Sequence, residues 1–212
     1  GNISIGSPLD LAIVGEGFFT LSESDSDFSS GAPKVFTRGG SFLVDSSNKF
    51  LTDSFGRKVY GFKTDDNGNV ISDELVPIET DGELDIGFLD GGILAANWNA
   101  SKGDPNIEPK PLYRIAMTTF QNKQGLVLKN GGAFKPTIAS GESFAFGPAG
   151  TRIGDSGNVY GDLIAESIES TNVDVARVAL DMNLLNRGFS AITGVIDDIT
   201  KILSNLISKL PG

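Results

Sequence analysis

The fold class this sequence predicts is mainly β: a multi-stranded meander or sandwich-like domain carrying one long C-terminal α-helix of coiled-coil type. Three observations predict it. Short apolar runs alternate with clusters of Gly, Asn, Asp and Ser through the first three quarters of the chain, which is turn chemistry at the spacing of an all-β region. From Val175 onward the period changes, and apolar residues recur in unbroken steps of 3 and 4, the heptad rule for a helix lying against another helix. Hydrophobic residues make up 39% and charged ones 21% of 212 residues, a folded rather than a disordered composition.

In chain order, "SPLDLAIVGEGFFTL" (7–21) holds two apolar runs around Gly15-Glu16-Gly17. The runs read as strands and the glycines as a turn or bulge between them. A polar loop follows, and then strands are expected at 35–37, 41–44, 49–52, 59–64 and 69–72. They are joined by Arg38-Gly39-Gly40, Asp45-Ser46-Ser47-Asn48, Asp53-Ser54-Phe55-Gly56 and Asp65-Asp66-Asn67-Gly68. Asn67-Gly68 is the strongest hairpin signal of these. Residues 73–111 are less regular, with short strands expected at 75–78, 84–88 and 93–95 and a Pro/Gly-rich loop after them. "LYRIAMTTF" (112–120) is a strand of high β-propensity, and "QGLVLKNGGAFKPTIASGESFAFG" adds short strands between Gly-rich turns.

The helix opens at Thr171, with Asp174 at capping-box spacing and suited to the positive helix N-terminus. Its seam is Val175, Val178, Met182, Leu185, Phe189, Ile192, Ile196, Ile199, Leu203, Leu206 and Leu210, and Pro211-Gly212 closes it. Such a helix is about 60 Å long. Gly188 and Gly194 inside it cost about 1 kcal/mol each and mark a bend. A helix docked on its own globular core shows a broad stripe at period 3.6, whereas this one keeps 3.5. The seam is therefore expected to take other helices as partners. The chain begins at "GNISIG" in mid-strand grammar, from which a preceding N-terminal piece is expected.

Composition removes several function classes. With 17 basic and 27 acidic residues the net charge is −10, and no Lys/Arg cluster offsets it, so nucleic acid and anionic membrane surfaces are disfavoured as partners. No apolar run approaches the roughly 18 residues of a membrane span, so no membrane insertion is expected. The chain has no Cys and no His, which rules out disulfides, the usual zinc sites and every imidazole-based triad.

Three weaker signals have bland alternatives. Gly15-Glu16-Gly17 lacks the third glycine and the helix of a dinucleotide loop and reads as a structural turn. "DDNGN" (65–69) has the wrong acid spacing for a calcium loop, with Val76 at the bidentate Glu position, and reads as a hairpin. Asp81, Glu83, Asp85 and Asp90 could supply a general acid and base, with Trp98 and Tyr113 lining a sugar groove, but scattered acids in an acidic chain are normally surface solvation. No catalytic, metal-binding or cofactor-binding residues are assigned.

Four segments carry a resemblance. "SPLDLAIVGEGFFTL", "FTRGGSFLVDSSNKFLTDSFGRKVYGF", "MTTFQNKQGLVLKNGGAFKPTIASG" and "VYGDLIAESIESTNVDVARVALDMN" occur in the order of the matching motifs of the bacterial flagellar axial proteins, those of hook, rod and hook-basal body. Departures are Phe36 for the usual Tyr, Asn48-Lys49 where Asp/Asn-Gly is common, and Gly132 at an Asn position. The resemblance implies a strand segment entering the domain over 1–21, a β domain over 22–168 with a short inserted outer segment at 73–110, and an axial helix over 169–212. It implies a structural subunit, not an enzyme, that is exported by the type III apparatus without a cleaved signal peptide. Such subunits self-assemble into a hollow helical tube that conveys torque and encloses the export channel. The implied partners are copies of itself, other flagellar axial proteins and an N-terminal helix missing from this chain. Two rivals are an exported adhesin or phage-tail-like binding protein that trimerises through the same helix, and a carbohydrate-active enzyme using two carboxylates.

Overall fold

The computed structural model describes residues 2–23, 32–151 and 159–170. The chain divides into two units, Gly1–Ser170 and Thr171–Gly212. The second, which holds the expected helix, its seam and its cap, lies outside the described residues.

The strands, in order, are β1 (Asn2–Ile5), β2 (Leu11–Val14), β3 (Phe18–Ser22), β4 (Lys34–Thr37), β5 (Leu43–Val44), β6 (Leu51–Thr52), β7 (Tyr60–Lys63), β8 (Val76–Pro77), β9 (Ile86–Leu89) and β10 (Ile93–Ala96). A short helix α1 (Trp98–Gly103) follows, and then β11 (Lys110–Ile115), β12 (Met117–Thr118), a 3-10 turn (Lys123–Gly125), β13 (Val127–Lys129), β14 (Ala133–Lys135), β15 (Asp162–Ala165) and β16 (Ser167–Ser170). The unit is mainly β, as the turn spacing predicts. One five-stranded sheet has the order β8-β7-β11-β10-β9 and a second β12-β3-β4-β14-β13, with two-stranded ribbons β15-β2, β5-β6 and β1-β16.

The expected meander over 35–72 is instead shared among sheets. β4 joins the second sheet, β5-β6 stands as its own ribbon, and β7-β8 joins the first. The sheets meet where strands change partners. The single run expected at 112–120 bends at the fully buried Ala116, so that β11 pairs in one sheet and β12 in the other. Ala116 N–H donates to the Tyr60 carbonyl and Met117 N–H to that of Gly147, and a bridge joins Leu21 of β3 to Val59, the residue before β7. Corners of this kind let one core fill the space between two sheets. β3 is buried along its whole length because it has core on both sides. Phe19 and Leu21 enter the main cluster with Leu11, Ile13, Phe88, Leu94 and Ile115, while Phe18 joins Phe36 and Phe120 in a second, edge-to-face aromatic cluster.

Two further departures have local causes. No strand forms at 69–72, where only Val70 bridges Thr64 and Ile71 is exposed. The Asp65 carboxylate accepts from the amides of Asn67 and Asn69 and closes the turn there. Residues 98–103, read as loop, are helical because the Asp85 carboxylate accepts from the amides of Asn99 and Ala100 and Trp98 is buried beneath them. Residues 73–110, expected as an inserted outer segment, supply β8, β9, β10 and α1, and put Ile78, Ile86, Phe88 and Leu94 into the main core.

Candidate assembly surface

Two loops bring apolar side chains to the surface. The first, 80–85, presents Leu84 at 95% exposure. Beside it Leu9, Phe42, Leu43, Val44 and Ile86 line a groove of about 470 Å³ that also includes Lys49 and Glu83. Thr80 holds this loop to the β5-β6 turn, its amide and hydroxyl both donating to the Lys49 carbonyl at 2.9 Å. The second is the turn after β6. There the Asp53 carboxylate accepts from the amides of Phe55 and Arg57 and pairs with the Arg57 guanidinium at 2.5 Å. Arg57 also donates to the carbonyls of Asn130 and Gly131, fixing the β13–β14 hairpin against the turn. Phe55, Val127 and Leu128 are exposed here, as is Ile138 further along the chain. Exposed apolar patches of this kind mark contact surfaces.

A third feature is the way the chain enters and leaves the domain. β1 pairs with β16 in antiparallel register, Asn2 opposite Ser170 and Ile5 opposite Ser167, and β2 pairs with β15, Leu11 opposite Ala165. The two ribbons follow one another, interrupted by residues 6–10 on one side and by Glu166, at φ 51°, on the other. Lys102 of α1 pairs with Glu166 at 2.9 Å. Thr171, at which the helix is expected to open, is the next residue of the sequence.

Among the residues singled out from sequence, Thr171 and Asp174 and the seam from Val175 to Leu210 lie outside the described residues. Gly15-Glu16-Gly17 is a corner between two sheets: Arg38 donates to the carbonyls of Ile13, Gly15 and Gly17, and Gly161 packs against Gly15, its amide donating to the Glu16 carbonyl. Gly15 and Gly17 have φ 112° and 136°, which side chains rarely adopt.

Of the acids of 81–90, Asp81 and Glu83 are exposed, while Asp85 and Asp90 have structural places. Asp85 caps α1, and hydrogen bonds from the Asn99 and then the Ala100 amide hold its carboxyl below the usual aspartate range. Asp90 accepts from the Ala165 amide. Trp98 is buried with its indole N–H on the Phe88 carbonyl at 3.1 Å, and Tyr113 is buried in the main core, its hydroxyl pKa raised by burial. Both rings are buried rather than displayed at the surface. Asp45, Asp65 and Asp104 are likewise held low, by the Ser47 hydroxyl, the Asn69 amide and the Asn106 amide respectively, each inside its own turn. Among the described residues no three acidic side chains converge as a metal site.

The clamps made by Arg38 and by Asp53–Arg57 were not singled out in the sequence. The Asp-x-x-x-Arg spacing within one turn was the available signal for the second, but the first joins residues that only the fold brings together.

No known protein-family profile matches the chain. It is similar to the flagellar basal-body rod protein FlgG of Bacillus subtilis, with 27% identity over 205 residues, 97% of this chain and 66% of that protein. It is also similar to the flagellar hook protein FlgE of two Helicobacter pylori strains, with 28% identity over 125 residues, 59% of this chain and 16% of the hook protein. The chain thus spans just under two thirds of the rod protein's length and a small part of the hook protein's. These relatives are named as structural parts of the flagellum and not as enzymes. By sequence, then, this chain is similar to a flagellar rod protein and to flagellar hook proteins.

Proposed function

We propose that this chain is a structural subunit of the bacterial flagellar rod or hook. It acts with copies of itself and with other axial proteins, stacking helically into a hollow tube that transmits torque and encloses the export channel. Export proceeds without a cleaved signal peptide, and the subunit works beyond the cytoplasm. The observation that supports this reading best is the β1-β16 ribbon, which sets residue 2 directly opposite residue 170. Residues 2 and 170, the two ends of the described domain, are therefore neighbours, which suits a seam shared by helices joined to both ends. The exposed groove at Leu43 and Leu84 and the ridge of Phe55 and Leu128 are surfaces for contacts between neighbouring β domains.

The test fuses a heptad helix complementary to the seam in front of residue 2 and follows assembly by sedimentation and electron microscopy. Open-ended tubes or filaments are expected, and seam charges (Leu185→Asp with Ile192→Asp) should abolish them. A discrete trimer formed by the unfused chain, with no open-ended product from the fusion, would overturn the reading in favour of an adhesin-like protein that trimerises through the same helix.

A further inference from the structure

We propose that Asn130-Gly131, at the tip of the β13–β14 hairpin, is a site of spontaneous deamidation activated by Arg57. This inference does not depend on the flagellar reading. The chain has two Asn-Gly pairs, 67–68 and 130–131. Glycine as the following residue leaves the amide nitrogen that attacks the asparagine side chain unshielded, and the structure treats the two pairs differently.

At the first pair, Gly68 N–H donates to the Asp65 carbonyl at 3.0 Å, within a turn that the Asp65 carboxylate closes from the other side. The nitrogen that would attack is held. At the second pair, Asn130 is exposed, and neither its side chain nor the Gly131 N–H has a hydrogen-bond partner among the described residues.

Arg57 supplies what the second pair needs. Its Nη1 donates to the Asn130 carbonyl oxygen at 3.3 Å and its Nη2 to that of Gly131 at 2.9 Å. Asp53 fixes the guanidinium in that position through Nε at 2.7 Å. The Asn130 carbonyl and the Gly131 N–H belong to one peptide unit. A cation donating to the oxygen draws electron density from the nitrogen and eases loss of its proton.

The step balances with water alone. Hydroxide takes the Gly131 amide proton, and the nitrogen pair forms a bond to Asn130 Cγ. The Cγ–Nδ2 bond breaks, and that nitrogen leaves as ammonia with a proton from water. One water then opens the five-membered imide at either carbonyl, giving aspartate or isoaspartate. The product places a new carboxylate on the hairpin tip that Arg57 holds, and by the isoaspartate route lengthens that tip by one main-chain methylene.

The experiment incubates the whole chain at mildly alkaline pH, with and without urea, and follows the amide-to-acid mass change at both asparagines by peptide mass spectrometry. In the folded chain Asn130 should convert about fivefold faster than Asn67, the factor that corresponds to a net amide hydrogen bond of about 1 kcal/mol. In urea the two rates should converge. Arg57→Lys keeps the charge next to Asp53 but cannot fork to both carbonyls, and with native circular dichroism it should slow conversion at Asn130. Conversion in the folded chain that is equal at both sites, or faster at Asn67, would overturn the site. This comparison needs no variant. An unchanged Asn130 rate in a folded Arg57→Lys chain would overturn the role of Arg57.

Discussion

Arg38 Nη1 lies 3.1 Å from the carbonyl oxygen of Gly17, 21 residues earlier in the chain. The same nitrogen reaches the Gly15 carbonyl and Nη2 that of Ile13, each at 3.1 Å. One planar cation thus ties the segment "IVGEGFF" to "FTRGGSF" and fixes the corner at which β2 leaves one ribbon and β3 enters a five-stranded sheet. A guanidinium suits this task because its donors stand in a fixed fork.

Replacing Arg38 should therefore loosen the corner. Hydrogen bonds to a charged donor are worth about 1.5 to 3 kcal/mol each and do not add fully, so Arg38→Ala is expected to cost about 3 kcal/mol. Arg38→Lys should recover less than half of that, because an ammonium cannot serve three carbonyls from one position. Urea unfolding followed by fluorescence of the buried Trp98 measures both.

Gly40 adjoins the same corner. Its carbonyl accepts from the Leu11 amide at 2.9 Å, and a Cβ built on it would overlap the Leu11 carbonyl and press on the Phe19 ring. Backbone cannot step aside as a flexible side chain can. Gly40→Ala should destabilise by about 3 kcal/mol or more. Gly103, at the end of α1, has nothing within 4 Å of its Cβ position, and Gly103→Ala should stay within about 0.5 kcal/mol of the parent. Thermal unfolding of the pair separates a true packing constraint from a general sensitivity to alanine.

These residues also show what was legible in the sequence. The turns were, because each is built from its own residues: Asp45 is served by Ser47, and Asp65 by Asn67 and Asn69. The runs on either side of Gly15-Glu16-Gly17 formed β2 and β3 as expected. The division of strands among sheets was not legible, because it depends on distant partners such as the Tyr60 carbonyl that receives the Ala116 amide. Helix α1 was missed because Asn97, before it, has φ 60° and gives no side-chain cap, while the cap comes from Asp85, 14 residues from Asn99. The Arg38 clamp was hidden for the same reason. The heptad seam was the clearest pattern in the sequence, and it lies outside the described residues.

The cap on α1 gives a pH-dependent prediction. Bonds from the Asn99 amide, then from the Ala100 amide, lower the folded-state pKa of Asp85 below the ordinary 3.8. A group whose folded pKa is depressed contributes stability that is full above its unfolded value and is lost as pH falls through the folded one. Asp85→Ala should therefore lower the midpoint of thermal unfolding at neutral pH, and the gap to the parent should narrow as pH falls below 3.8. A gap of constant size down to low pH would show that the side chain acts through packing and not through its charge.

The last prediction concerns the ribbon by which the chain enters and leaves the domain. Ile5 stands opposite Ser167, and at the next position the Gly6 amide bonds to the Glu166 carbonyl at 2.7 Å. Ile5–Ser167 is therefore the non-bonded kind of antiparallel pair, with Cα atoms about 4.5 Å apart, within the range a disulfide spans. The chain has no cysteine of its own, so Ile5→Cys with Ser167→Cys can form only the intended bond within one molecule. Closing so long a loop should stabilise the oxidised protein by about 2 to 4 kcal/mol over its reduced form. Shifting one partner by a single residue, Ile5→Cys with Ile168→Cys, should lose most of that gain, because neighbouring residues of a strand point to opposite faces. Unfolding midpoints with and without reductant read both pairs. Equal stabilisation by the two would mean that β1 is not held in register against β16, and the support this ribbon gives to the proposed shared seam would fall with it.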